Sequence, residues 1–316
     1  GAFGTVWLLQ AFSPMQALLA LGAAAWCAGA LALPWPRKGA FAAAVLSATV
    51  FAGLVIQVPA EPAISQYKAL AQVRAMPGSA QVAQRMGLLG RLDVMAGPAI
   101  HHAPGLSLQY TENLPPHVLL LADGEIAGPV YDCAERADWA FLDATTPAAA
   151  HHVAPAGRAL VIGAGGGKDL GLARFHGCGA IMALEMNPQL IALMRGPLAA
   201  RGGRIYSAEG VRVENAEARG FLAGQRMRFD VIQLPSVDAF GASGAGLYAA
   251  QESYLYTAEA FQAMLACLAP DGVLAITRWA RVPPRDGLRV LDTAAAALRG
   301  QGLDPRTRLA MLRSWA

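Results

Sequence analysis

Apolar residues are unevenly distributed along this chain of 316 residues, and the first 60 positions differ from the rest. No Asp, Glu, Lys or Arg occurs before Arg37, and none occurs between Gly39 and Ala60. Each charge-free stretch is long enough to cross a hydrocarbon core of about 30 Å at about 1.5 Å per residue. The pattern therefore predicts two transmembrane helices, 15–33 and 40–58. A signal peptide is the competing interpretation of the first stretch, but no basic segment precedes it and a second apolar stretch follows.

The next part of the chain predicts a short helix and a small β-rich region. Apolar spacing between Pro62 and Gly78 is nearly helical and predicts a juxtamembrane helix. Residues 87–132 are rich in Gly and Pro turns, and the dipeptide Asp123-Gly124 indicates a hairpin. Short strands are expected at 91–95, 106–110, 118–121 and 126–131. A helix is predicted to follow at 136–150.

From Arg158 onward, apolar runs alternate with segments of helical periodicity. Strands are predicted at 159–162, 180–185, 211–214, 231–234 and 273–277. Helices are predicted at 169–175, 188–198, 216–223, 257–268 and 286–299. This alternation predicts an α/β fold with a doubly wound parallel sheet, in which ligands bind beyond the carboxyl ends of the strands. The expected domains are 1–60 (membrane), 61–80 (juxtamembrane linker), 81–135 (β-rich) and 136–316 (α/β).

Composition agrees with a membrane portion joined to a globular one. The chain is 55% hydrophobic and 15% charged, with a mean hydropathy of +0.36. The net charge of +3 does not indicate a nucleic-acid partner. The histidine pairs 101–102 and 151–152 predict no metal site, because adjacent residues on a strand face opposite sides. Reduced, buried thiols are favoured over disulfides or zinc for the four dispersed cysteines, Cys27, Cys133, Cys178 and Cys267.

The segment 159–188 has the local pattern of a nucleotide-binding βαβ unit. An apolar run leads into the glycine-rich turn Gly163-Ala164-Gly165-Gly166-Gly167, and a second apolar run ends at Glu185. The glycines let the backbone pass close to a ligand. A carboxylate about 20 residues further on can accept hydrogen bonds from both hydroxyls of a ribose. We therefore predict nucleoside binding, with a purely structural strand–helix turn as the alternative.

Other predicted strand ends supply further candidates. Lys168 and Asp169 follow the glycine turn, and Asn187 follows Glu185. Glu217 suits either the amine of an adenine or the first turn of the next helix, where the dipole favours an acid. The fourth strand leads to Asp238, then to a glycine-rich stretch and a segment with the polar residues Tyr248, Glu252, Tyr254 and Tyr256. That segment suits a lid over a substrate, and packing of its tyrosines between sheet and helix is the alternative.

From 106 to 285 the chain resembles the spermidine/spermine synthase family of polyamine aminopropyltransferases, and its bacterial membrane-fused branch in particular. The matching segments are LADGEIAG, VIGAGGGKD, LEMNP, VRVENAEARGFL, FDVIQLPSVDAF, LYTAEAF and LAPDGVLAITRW. The resemblance implies a Rossmann-like S-adenosylmethionine-dependent transferase fold after a small β domain. It also implies S-adenosylmethionine, or its decarboxylated form, as co-substrate, a small-molecule acceptor such as a polyamine, and no metal. A homodimer is compatible with it.

The resemblance also assigns roles to positions in this chain. Glu185 matches the ribose-binding acid, Glu217 falls at the adenine-side acid, and Asp238 matches the second aspartate of an Asp-x-x-Asp segment. The expected catalytic residues are Asp238, Asp169 and Tyr248. The expected cofactor-binding residues are Gly163, Gly165, Gly166, Gly167, Lys168, Glu185, Asn187 and Glu217.

Three departures from the family pattern bear on the reaction. Gly166 and Pro235 stand where the family has aspartates, and Phe141-Leu142-Asp143 stands where it has Tyr-Gln-Glu. Carboxylates hold the cationic amine and remove its proton, so their loss opposes aminopropyl transfer. Lys168 favours intact S-adenosylmethionine, whose carboxylate it would attract. Three hypotheses remain open: aminopropyl transfer, methyl transfer, and a non-catalytic nucleoside-binding sensor or transporter-associated domain.

Location follows from the predicted spans and the cofactor. Gly1 opens directly into apolar sequence, and 309–315 resembles a strand without a partner, so we expect a fragment of a longer membrane protein with a truncated C-terminal domain. The basic turn Arg37-Lys38 favours a domain outside the cytoplasm by the positive-inside rule. Lys68 and Arg74, and the cytoplasmic supply of S-adenosylmethionine, favour a cytoplasmic domain. We expect a multi-pass inner-membrane protein with its α/β domain in the cytoplasm.

Overall fold

The computed structural model describes residue 4 and residues 14–32, 45–50, 53, 64–236, 254–280 and 282–314. The chain divides into two compact units. The first comprises Gly1–Gln66 and Met86–Arg91, and the second comprises Tyr67–Arg85 and Leu92–Ala316. The candidate site residues that the structure describes all belong to the second unit.

Helix α1 of the first unit, Pro14–Ala32, corresponds to the first predicted apolar stretch. Across the described ranges, however, the structure contains no helix that combines the length and the hydropathy needed to span a membrane. This finding contradicts the prediction of a membrane span at 15–33 and, with it, the prediction of a multi-pass inner-membrane location. The second predicted span, 40–58, lies mostly outside the described residues.

A short helix and a four-stranded sheet precede the large sheet in the chain. Helix α2 spans only Ala69–Arg74 of the predicted juxtamembrane helix. The sheet has the order β1-β2-β3-β4, with strands Ala80–Gly87, Gly90–Ala96, His117–Ala122 and Glu125–Tyr131. The predicted hairpin at Asp123-Gly124 is confirmed, because both residues have positive φ angles, 48° and 80°. The expected strand at 106–110 is absent from this described region, where Leu108 is 79% exposed and has no apolar face to bury.

The helix expected at 136–150 is broken into three pieces. A 3-10 helix spans Ala137–Ala144, a single 3-10 turn spans Thr146–Ala148, and helix α3 spans Ala149–Val153. Pro147 lacks the backbone N–H that a continuous helix would need at that position. The break separates Asp143 from the histidines of α3 and leaves them on different elements.

The predicted parallel sheet is confirmed. Its strands β5 to β9 are Arg158–Ile162, Ala180–Glu185, Val211–Asn215, Phe229–Leu234 and Leu268–Ile276. They lie in the order β7-β6-β5-β8-β9, and β5 pairs in parallel with β6 and with β8. The helices α4 to α8 are Lys168–Phe175, Pro188–Arg195, Ala218–Gly224, Ala258–Ala266 and Arg285–Gly300.

Both faces of the central strands are buried, as expected for a doubly wound sheet. Alternate residues of β5 belong to two separate apolar clusters, Ala159 and Val161 to one, Leu160 and Ile162 to the other. The first cluster also contains inward-facing residues of the small sheet, among them Val94, Leu120 and Val130. The small sheet and one face of the large sheet therefore share one core, and this core holds β4 against the start of α4.

Candidate nucleoside-binding site

The order of the large sheet places the glycine-rich turn at a topological switch point. From β5 the chain moves outward through β6 and β7, and then returns to the other side of β5 as β8. In open α/β sheets, ligands bind at the carboxyl ends of the strands where this reversal occurs. The turn that follows Ile162 starts at this edge.

Three of the turn glycines have backbone angles that other residues rarely adopt. The φ angles are 91° at Gly163, 54° at Gly165 and 87° at Gly167. The backbone N–H groups of Gly163 and Ala164 donate to the carbonyl oxygen of Leu184, over 2.8 and 3.0 Å. The turn is thereby fixed to the end of β6, next to Glu185.

Gly166 is required for a different reason, the close approach of β4. A Cβ atom on Gly166 would overlap the carbonyl oxygen of Pro129 and would lie 3.3 Å from Cγ2 of Val130. An aspartate, which the resemblance implies at this position, cannot fit unless β4 moves. The neighbouring sheet therefore restricts this position to a residue without a side chain.

Glu185 ends β6 with its carboxylate directed along the glycine turn. Oε2 accepts a hydrogen bond from the backbone N–H of Gly165 at 3.1 Å, and Oε1 accepts one from Asn187 at 2.8 Å. The residue is 9% exposed, and burial raises the pKa of its carboxyl, while the backbone hydrogen bonds oppose that shift. A carboxylate has about four acceptor positions, and those that the backbone N–H groups leave open are available to the hydroxyls of a bound sugar.

Two polar residues that the sequence analysis did not assign support this geometry. Asn215 donates from Nδ2 to the carbonyl oxygens of Glu185 and Met186, at 2.8 and 2.9 Å. The hydroxyl of Tyr206 donates to the carbonyl oxygen of Gly165 at 2.8 Å. Burial, and then the charge of Glu185, raise the pKa of Tyr206. An asparagine at the end of the adjacent parallel strand was the available signal for Asn215, whereas no sequence signal indicates Tyr206.

Asn187 and Glu217 both act as helix caps. Asn187 Oδ1 accepts from the backbone N–H of Gln189 at 3.0 Å at the start of α5. Glu217 accepts from the N–H groups of Arg219 and Gly220, both at 2.8 Å, at the start of α6. These contacts support the helix-start alternative for Glu217. A contact with an adenine amine would need one of the acceptor positions that remain on the Glu217 carboxylate.

Lys168 and Asp169 form an ion pair with each other in the first turn of α4. Lys168 Nζ lies 2.9 Å from both carboxylate oxygens of Asp169, and Asp169 is 4% exposed. The lysine charge beside the glycine turn is thus balanced by its neighbour. A ligand carboxylate at this point would compete with Asp169 for the ammonium group.

The remaining candidates lie at or beyond the end of β8. Asp238, Tyr248 and Glu252 are outside the described residues, so their predicted roles stay predictions. Of the lid tyrosines, Tyr254 is 57% exposed, with the guanidinium of Arg219 5.8 Å from its ring centre. The guanidinium of Arg278 lies 4.5 Å from the ring centre of Tyr256. Both tyrosines are therefore in contact with cationic side chains at the edge of the large sheet.

Comparisons with known proteins give two groups of results. No protein-family model matches the sequence, and a search of curated proteins gives no match. Among solved structures, the chain is similar to a spermidine synthase in complex with the transition-state analogue AdoDATO, with 16% identity and a TM-score of 0.46 over 69% of this chain. It is also similar to the spermidine synthase of Thermotoga maritima, with 18% identity and a TM-score of 0.44 over 69% of this chain. The chain covers 64% and 62% of the lengths of these two proteins.

Proposed function

We propose that the second unit binds an S-adenosyl sulfonium donor, S-adenosylmethionine or its decarboxylated form, and transfers a group from it to a small acceptor. The observation that carries this proposal is the Glu185 carboxylate, held 3.1 Å from the Gly165 backbone N–H at the switch point of the sheet. A buried acid that keeps acceptor positions open beside a glycine turn suits the two hydroxyls of a ribose.

The surroundings of Glu185 suit the rest of a nucleoside. Met186, the next residue, is 55% exposed although its side chain is large and apolar. An exposed apolar side chain at a strand end offers a packing surface for a flat base. The methyl group of Ala164 is the only side chain in 163–167, so a sulfonium-bearing tail can lie along this backbone.

The transfer itself is a nucleophilic substitution at a carbon bound to sulfur. The acceptor lone pair forms the new bond, the carbon–sulfur bond breaks, and its electron pair neutralises the sulfonium to give a thioether. An amine acceptor then loses a proton to a base. Asp238 is our candidate base, with Tyr248 as a candidate partner in the lid. Asp169 is buried and paired with Lys168, so we assign it an electrostatic role near the donor.

Methyl transfer is the second candidate reaction, and the packing at Gly166 favours it. No carboxylate fits at that position, because a Cβ would already overlap the Pro129 carbonyl oxygen. Both donors carry an amine at the end of the tail, but only intact S-adenosylmethionine also carries a carboxylate, which an acid at this position would repel. Without that acid, the intact donor gains relative to the decarboxylated one, and we predict that the intact form binds more tightly.

A binding and product experiment tests these proposals. The full chain is titrated calorimetrically with each donor, and mixtures with a diamine are analysed by mass spectrometry for an added aminopropyl group, an added methyl group, or no change. Glu185→Gln should weaken binding of both donors, whereas Glu209→Gln, the same change at an exposed site, should not. No binding of either donor would refute the proposal, and binding without any product would leave only a nucleoside sensor.

A further inference from the structure

A second group of chemically competent side chains lies away from the glycine turn. Asp143 comes from the 3-10 helix Ala137–Ala144, His152 from α3, and His176 from the C-cap of α4. One potential ligand atom from each of these residues lies within 4.8 Å of those of the other two. Three separate elements therefore bring two imidazoles and one carboxylate to a single point.

The two imidazoles approach the same oxygen atom. Nε2 of His152 is 2.7 Å from Oδ1 of Asp143, and Nε2 of His176 is 2.9 Å from it. The contact of His152 has hydrogen-bond geometry. Nε2 of His176 is buried beside the same oxygen. One carboxylate oxygen is thus shared by two ring nitrogens, an arrangement in which a single cation can take the place of the shared protons.

We propose that Asp143, His152 and His176 form a binding site for one divalent transition-metal ion, with Zn²⁺ as the best match. Zinc binds His nitrogens and Asp oxygens at about 2.0–2.2 Å, usually with tetrahedral geometry. Tetrahedral ligands at that range are about 3.3 Å apart, so the two nitrogen–oxygen distances need to open by only about half an ångström. The side chains of His152 and Asp143 are 57% and 37% exposed, which gives the ion access and leaves the fourth position to water.

Neighbouring groups hold one of these ligands in place. The ring of His151 stacks on that of His176, with centroids 5.1 Å apart and an interplanar angle of 12°. Sγ of Cys178 lies 3.9 Å from Nδ1 of His151. Such packing fixes the orientation of the His176 ring before an ion arrives, which reduces the entropy lost on binding.

The location of this cluster separates it from the proposed transferase site. Helix α4 begins at the glycine turn with Lys168, and His176 caps its opposite end. Eight helical residues span about 12 Å. An ion at the cluster would connect the 3-10 helix, α3 and α4, and would stabilise their arrangement without touching a bound nucleoside. This inference is independent of the proposed function.

Zinc titration of the full, untagged chain tests the site. After chelator treatment, calorimetry with Zn²⁺ alone should show one ion per chain, and the unfolding temperature should rise with zinc concentration. Asp143→Asn and His176→Gln should each lower the zinc affinity at least about tenfold. His101→Gln, which removes an exposed histidine outside the cluster, should leave the affinity unchanged.

A second measurement on the unaltered chain avoids any dependence on variants that fold poorly. Modification of histidines by diethylpyrocarbonate, mapped by mass spectrometry, should be slowed by Zn²⁺ at His152 and not at His101. The proposal is overturned if zinc fails to bind below millimolar concentration. It is also overturned if Asp143→Asn binds zinc as His101→Gln does, or if His152 is not protected.

Discussion

Replacing Glu185 by glutamine tests the geometry on which the proposed function rests. The amide retains one acceptor oxygen and replaces the other by an NH₂ donor. The hydrogen bond from Asn187 is the shorter, 2.8 Å against 3.1 Å for Gly165, so we expect the amide oxygen to stay with Asn187. The NH₂ group then faces the N–H of Gly165, and an unsatisfied buried donor costs about 1–3 kcal/mol. Removal of the buried negative charge offsets part of this cost, because burial raises the pKa of Glu185.

The effect on ligand binding should be larger than the effect on folding. Hydrogen bonds to a charged group contribute about 1.5–3 kcal/mol, so losing them should weaken binding of an S-adenosyl ligand by roughly 10- to 150-fold. Calorimetric titration of Glu185→Gln with both donors measures this change, and thermal unfolding of the same sample measures stability. Glu209→Gln is the matched control, since Glu209 is exposed. Unchanged affinity in a variant that remains folded would refute the assignment of Glu185 to the ribose.

Three further predictions concern the same turn. The raised pKa of Glu185 means that the folded state binds more protons than the unfolded chain between the two pKa values. The free energy of unfolding should therefore fall as pH rises through that window, and urea titrations should show this slope for the unaltered chain and not for Glu185→Gln. Gly166→Asp should destabilise the fold by at least about 2 kcal/mol rather than create aminopropyl transfer, because its Cβ overlaps the Pro129 carbonyl; a stable, active variant in a product assay would contradict this packing. Tyr206→Phe leaves the carbonyl oxygen of Gly165 without its 2.8 Å hydrogen bond and should lower the unfolding temperature by about 2–4 °C. Calorimetric melting measures this change, and an unchanged curve would show that water replaces the hydroxyl.

The central strands of the large sheet were predictable from the sequence because they are buried on both faces. Such strands appear as continuous apolar runs, and the predicted run 180–185 coincides with β6, Ala180–Glu185. At the N-terminus, charge-free apolar runs predicted membrane spans, and the described residues contain no helix of that kind. Strand β1 was also missed, because Ala80–Gly87 is mostly exposed or partly exposed and has no clear alternation of apolar residues.

The site was only partly predictable, for a different physical reason. Glu185 and the glycine turn form a local pattern, so their proximity follows from one βαβ unit. The helix-start role of Glu217 was one of two alternatives that the sequence predicted, and the structure favours it. The role of Gly166 depends on its contact with β4, which sequence spacing does not encode. The sequence analysis considered only adjacent histidines as metal ligands. The cluster of Asp143, His152 and His176 contains one member of such a pair, His152, and two residues from other elements.

The contact between Gly166 and β4 also limits how this protein can be redesigned. Because the obstacle is a main-chain carbonyl, no change of side chain on β4 removes it. Introducing an acidic group at the turn therefore requires shortening or shifting the strand Glu125–Tyr131, or placing the acid on another loop. The path of a second sheet thus limits which side chains position 166 can carry.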